Sequence, residues 1–267
     1  MRVHNYLPDL LDALKRWERK PASCQVAEYL RPMEQLLAPL ALDPAYEEAR
    51  LKKSIDAVER CLGITLTGDA VLFGAFTTMD GYARFDHGKH CVYLGVDESH
   101  GRGAYLDILV AHELAHVARE PLPEIWAGFG KTPDMSHDEF TENLPVIEHL
   151  MGEGFSCVVS ELLNPREDAC HYVYQTEDGL SRVLEHGPAV DRAIHKILKD
   201  PKGRYQSLYN TRLYRPELPL YAHYVWAWLW VTRLLEEKAG GNPRILLNMP
   251  SHELVEHALK FKLPKAL

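Results

Sequence analysis

The chain has 267 residues, with 30 Lys+Arg against 38 Asp+Glu and a formal net charge of −8. Apolar residues make up 46% and charged residues 25%. That is ordinary globular usage and excludes a disordered chain. The acidity argues against a nucleic-acid binder working by bulk positive charge. The length allows one large domain or two modest lobes.

The opening segment, MRVHNYLPDLLDALKRWERK, has Leu7, Leu10, Leu11, Leu14 and Trp17 at three-to-four spacing, which predicts an amphipathic helix. It lacks the apolar run and cleavage site of a secretory signal. A second helix is expected over Ser23 to Leu40. A third is expected from Asp43, an N-cap followed by Pro44, to Cys61, with Gly63 ending it. Residues 1–62 therefore read as an N-terminal helical region.

After Gly63 the pattern turns to strands. Asp69 to Thr78 is β-rich, Asp80-Gly81 is a turn signal, and Cys91 to Val96 is a further strand. These predict a small, mostly antiparallel sheet. Asp97 to Gly103 reads as a loop, and a helix follows over Ala104 to Arg119, closed by Pro121 and Pro123. Residues 63–120 thus form a sheet-plus-helix unit. The remainder, 121–267, reads as mainly helical: a loop over 121–137, then helices at His137 to Leu163 with Pro145 as a kink or restart, at Gly179 to Leu198, at Leu218 to Lys238, and at Ser251 to Lys260. The fold class is α+β.

No apolar run reaches membrane-spanning length. The longest, Leu218 to Val231, is too short and contains His223. Five cysteines, Cys24, Cys61, Cys91, Cys157 and Cys170, are widely spaced without a CxxC pair. They read as reduced thiols, and a cytoplasmic location is expected.

The chemistry concentrates in His112-Glu113-Leu114-Ala115-His116. On a helix, positions i and i+4 share a face, so both imidazoles can address one ion. Glu113 lies about 100° round the helix from His112, close to that ion without being forced to bind it. That is where a general base for an activated water belongs. From Ile108 to Ala118, Glu113 is the one carboxylate in an apolar run. A buried helix would not keep it without a task.

Catalytic zinc takes three protein ligands. After His116 the chain reads Val-Ala-Arg-Glu-Pro-Leu, so the long HExxHxxGxxH pattern fails. The third ligand is expected in Ile147 to Ser156. Glu153 stands there between Gly152 and Gly154 on a predicted helix. Glycine is unfavourable in a helix interior, so two flanking a carboxylate call for close approach of another helix or a metal site. His149, one turn earlier, and Glu148 are the alternatives.

The segments His112 to His116 and Met151-Gly152-Glu153-Gly154-Phe155-Ser156 resemble the gluzincins, zincin metallopeptidases in which a downstream glutamate completes the zinc site. The segment Leu218 to Trp230 is similar to a helix of bacterial predicted zinc-dependent proteases of this type. The resemblance implies a zincin-like fold with a mixed upper lobe, a mainly helical lower lobe and the zinc between them. It implies that the strand His90 to Asp97 binds substrate along an edge. It also implies an oxyanion donor, carried by position to Tyr224, with His223 and Tyr221 as alternatives. Many gluzincins place a carboxylate four residues after the ligand glutamate, where this chain has Cys157. Asp107, Glu161 or a backbone carbonyl is then expected to orient the imidazoles.

The expected function is zinc-dependent hydrolysis of peptide bonds, with His112, His116 and Glu153 holding Zn2+, Glu113 as general base, and a peptide or protein as substrate. Neither a nucleic acid nor a membrane is an expected partner. The rival readings are a zinc-holding regulatory or binding protein without peptidase activity, and a zinc hydrolase of other amides or esters.

Overall fold

The structure is a computed structural model and describes residues 1–18, 43–74, 80–86, 88–96, 104–200, 202–209 and 220–267. The expected helix over Ser23 to Leu40, the strand end Ala75 to Thr78 and the loop Asp97 to Gly103 lie outside the described residues, as does Cys24. The four described cysteines are free thiols.

Four strands form one sheet: β1 (Arg2–Asn5), β2 (Asp69–Gly74), β3 (Gly81–Asp86) and β4 (Lys89–Val96), in the order β1-β2-β4-β3. β1 runs parallel to β2 and β2 parallel to β4; only β3 and β4 are antiparallel. The sheet is therefore mixed, and the expectation of a mostly antiparallel one is corrected. Two of its three ladders are parallel, and the outer one exists because β1 is a strand where a purely helical start was expected. Parallel strands need a long crossover. Between β1 and β2 it carries two helices, α1 (Leu7–Glu18) and α2 (Pro44–Leu62). The β3–β4 hairpin turns at Gly88, whose φ of 80° suits glycine, and not at Asp80-Gly81, where β3 begins.

α2 starts as its sequence dictates. Asp43 Oδ1 accepts from the amides of Ala45 and Tyr46 at 3.0 and 3.3 Å, Pro44 opens the helix, and Gly63 ends it at φ 64°. α3 (Ala104–Arg119) packs beneath β3 and β4 and beside α2. The stretch 121–137 contains a short helix, Pro123–Ala127. The expected helix from His137 splits into His137–Asn143 and α4 (Val146–Leu163), with Pro145 as the cap of the second. The expected helix over Gly179 to Leu198 also splits, into α5 (Glu177–Glu185) and α6 (Gly187–Lys199), because Pro188 supplies no N–H to continue the first. α7 (Ala222–Glu237) follows, and the C-terminal part ends with the short helices Pro243–Leu247, Ser251–Leu254 and Val255–Lys260.

α4 is the axis of the molecule. Every residue from Val146 to Ser160 is buried, and the helix packs between α3 and α7. A helix apolar on all sides belongs inside. Leu94, Ile108, Leu114, Met151, Phe155, Trp226 and Trp230 meet in a core continuous with the sheet. Among the described residues, no helix is long and apolar enough to cross a membrane.

Candidate metal centre

α3 and α4 cross with His112, His116 and Glu153 at the contact. His112 Nε2 lies 3.1 Å from Glu153 Oε2, His116 Nε2 lies 3.4 Å from the same oxygen, and the two Nε2 atoms are 3.3 Å apart. Among the described residues, this is the one His/Cys/Asp/Glu group able to hold a metal ion. His112 and Glu153 are buried and His116 nearly so.

Of the two glycines beside Glu153, only Gly154 is required by packing. A Cβ on Gly154 would sit 2.4 Å from the Ala227 carbonyl oxygen, so glycine lets α7 approach α4. A Cβ on Gly152 would meet the His116 ring at an ordinary 3.5 Å.

Electrostatics couple the trio. Burial alone would push the His116 pKa down, but the Glu153 and Glu120 carboxylates hold it well above the usual imidazole value. Burial would raise Glu153, yet His116 and His112 hold it well below the carboxylate range. His112 is pushed down, chiefly by burial. The same carboxylates that favour a proton on His116 favour a cation between the rings.

Partners behind the rings differ from the expected ones. Glu120 Oε1 stands 3.5 Å from His116 Nδ1, one turn along α3, and its other oxygen lies 3.8 Å from His90 Nδ1. Cys157 Sγ lies 3.9 Å from His112 Nδ1. Asp107 is taken by Arg50 at 2.6 Å and Glu161 by the Trp228 indole at 2.8 Å, so neither orients an imidazole. Glu120 escaped the sequence reading, although its i+4 spacing from His116 is the signal that could have found it.

Glu148 and His149 are placed apart from the trio. Glu148 is paired with Arg119. His149 turns Nδ1 towards Glu153 Oε1 at 3.6 Å and Nε2 towards His223 Nε2 at 3.4 Å. It therefore backs the Glu153 carboxylate. His223 is fully buried on that imidazole. Tyr221, the residue before α7, is exposed. The Tyr224 ring lies 6.1 Å from that of His112, and its hydroxyl donates to that of Tyr209.

A cavity of about 210 Å³ opens over the trio. Its walls are Gly81 to Ala83 of β3, Glu113 of α3 and Glu120 just after it, Tyr209 and Tyr224, and Trp126, Phe140 and Leu144. Burial pushes the Glu113 carboxyl up to about 8, against the pull of His116 and of an Ala83 N–H that donates to it. Gly81 gives this carboxylate room, since a Cβ there would lie 3.1 Å from Glu113 Cγ.

Compared with protein-family models, curated proteins and solved structures, the chain matches none of them.

Proposed function

We propose that the protein is a zinc-dependent peptidase of zincin-like architecture, with His112, His116 and Glu153 as ligands and Glu113 as general base. The observation that carries this reading is the trio's geometry with a buried carboxyl beside it. Zinc with ligands about 2.0–2.1 Å away in a tetrahedron has ligand–ligand edges of about 3.3–3.4 Å. The separations of 3.1, 3.3 and 3.4 Å fit that figure. Two imidazoles and one carboxylate form a donor set that zinc favours when it keeps an open position for catalysis.

Zinc bound there supplies Lewis acidity, bringing a water's pKa towards neutrality and polarising a carbonyl. Glu113 takes the proton of the attacking water and delivers it to the leaving amine. Its burial and the Ala83 N–H fix its position for both transfers. Tyr224 donates to the oxyanion as charge develops, exchanging its partner Tyr209 for the substrate.

Substrate backbone has a place to pair. β4, expected as the binding edge, is interior, with β2 on one side and β3 on the other. The edge beside the cavity is β3. The Gly95 N–H donates to the Asp80 carbonyl at 2.8 Å, and alternation along the ladder turns the backbone groups of Gly81 and Ala83 away from β4; the Ala83 N–H is taken by Glu113, which leaves the Gly81 N–H and the two carbonyls to pair. An extended peptide adding to that edge would cross the trio.

The test is Glu113→Gln beside wild type, both loaded with zinc, on a pool of quenched-fluorescence peptides. Wild type should cleave members of the pool. The variant should bind zinc equally and lose turnover by about 100-fold or more. A variant that cleaves as well as wild type overturns the mechanism, and a loaded wild type that cleaves nothing overturns the peptidase reading.

A further inference from the structure

One part of the cavity wall is apolar. Ile125, Trp126 and Leu144 form a buried hydrophobic cluster apart from the core around α4, and Phe140 and Tyr205 pack against it half-buried. Trp126, Phe140, Leu144 and Tyr205 all line the cavity. The Trp126 ring meets Phe140 edge-on at 5.9 Å, and its indole N–H is spent on the Glu120 carbonyl at 2.7 Å, so what remains of it is hydrocarbon. Phe140 is held by its helix, His137–Asn143. Ser136 and Glu139 cap the start of that helix reciprocally, and the Gln206 side chain donates to the Thr141 carbonyl.

This wall adjoins the trio on two sides. Glu120 carries Trp126 on its carbonyl and faces His116 with its carboxylate. His149 carries the Tyr205 ring at 4.7 Å and faces Glu153. A side chain seated against the wall therefore belongs to a residue adjoining the bond held over the trio. The charged groups beside it are already matched. Arg119 spends its five donors on Glu148 and three carbonyls, and Glu120 faces His116 and His90. No free guanidinium is left at the wall for a carboxylate, and no free carboxylate for an ammonium. A lining of this kind takes an apolar group.

We propose that Phe140 and Tyr205, packed on Trp126 and Leu144, form a subsite for a large apolar side chain, aromatic or branched aliphatic, on the substrate residue adjoining the scissile bond. The assignment rests on the peptidase reading and names the substrates it would act on. None of the four residues lies in a segment that carries the gluzincin resemblance, so the selectivity belongs to this chain's own 122–144 and 205–209 stretches. Covering the exposed faces of Phe140 and Tyr205 with an apolar group removes them from water, which favours binding.

The experiment maps by mass spectrometry where zinc-loaded wild type cuts the peptide pool. One position adjoining the cut should be enriched in Phe, Leu and their like. Matched peptides carrying Leu or Ala at that position are then compared on wild type and Phe140→Ala, at equal zinc content. Phe140→Ala should lower kcat/KM about 10-fold for the Leu peptide and leave the Ala peptide within about twofold. Phe140→Lys should move the preference towards Glu. The wild-type cut sites are decisive however either variant folds. If no position beside the cut favours apolar residues, or if Phe140→Ala keeps the preference or slows both peptides equally, the subsite is overturned while the peptidase reading stands. If loaded wild type cleaves no peptide, both fall together.

Discussion

The guanidinium of Arg119 grips the Glu148 carboxylate through two parallel hydrogen bonds, Nε to Oε1 at 2.8 Å and Nη2 to Oε2 at 2.9 Å. Its remaining donors go to the carbonyls of Leu246, Leu247 and Met249 at 3.1, 2.9 and 2.9 Å. All five N–H groups are satisfied, which is what a buried guanidinium requires. The pair ties α3 and α4 together three residues after His116 and five before Glu153.

Removing one partner leaves the other charge buried and alone. Arg119→Met should destabilise by about 3–5 kcal/mol. Arg119→Met combined with Glu148→Met should recover part of that loss. Urea denaturation of the three variants decides it, and equal stabilities for the single and double variants would contradict the account.

Glu120 is a partner of His116 and not a ligand, so its loss should weaken zinc binding without abolishing it. Glu120→Gln should bind zinc about 10–100-fold more weakly. Glu153→Ala should reduce retention far more. Titration with a competing chelator measures both. An unchanged affinity for Glu120→Gln would remove Glu120 from the site's support.

Gly152 and Gly154 should answer alanine in opposite ways. Gly154→Ala forces a methyl to within 2.4 Å of the Ala227 carbonyl oxygen, and overpacking of this kind costs about 1–3 kcal/mol. Gly152→Ala meets only an ordinary contact and gains up to about 1 kcal/mol of helix propensity. The denaturation midpoints should move in opposite directions. A shift in the same direction would mean that α7 is not what requires Gly154.

The His149–His223 pair makes the metal-free protein sensitive to acid. Burial pushes His149 down to about 4, and burial with the His149 ring beside it pushes His223 down to about 3, from an ordinary 6.5. With depressed folded-state values, the unfolded chain binds more protons between those values and 6.5. Stability is therefore full above pH 6.5 and falls as pH drops through that window, by about 1.4 kcal/mol per unit for each histidine. His223→Gln should flatten the slope between pH 6 and 4 by about one such increment. Parallel slopes in urea melts at several pH values would show that His223 does not titrate on unfolding.

Much of the centre was legible because its signals are local. His112 and His116 share a face through helical spacing alone, and of the two glycines around Glu153, Gly154 marked a close approach that α7 supplies while Gly152 marked none. Asp43-Pro44 and Pro145 wrote their own helix starts. What escaped depends on distant pairing. β1 is four residues of mixed polarity, and only its partner β2 makes it a strand. Whether β4 or β3 forms the edge is decided by strand order, which no local pattern encodes.

The carbonyls that complete the Arg119 cradle come 127–130 positions after it. A ribosome adding about 5–20 residues per second needs roughly 6–26 s to reach them. His112, His116 and Glu153 are all synthesised well before Met249. During translation the nascent chain therefore carries all three residues of the candidate centre while the guanidinium beneath them still lacks three acceptors, and the finished pocket must wait for the last part of the polypeptide to emerge.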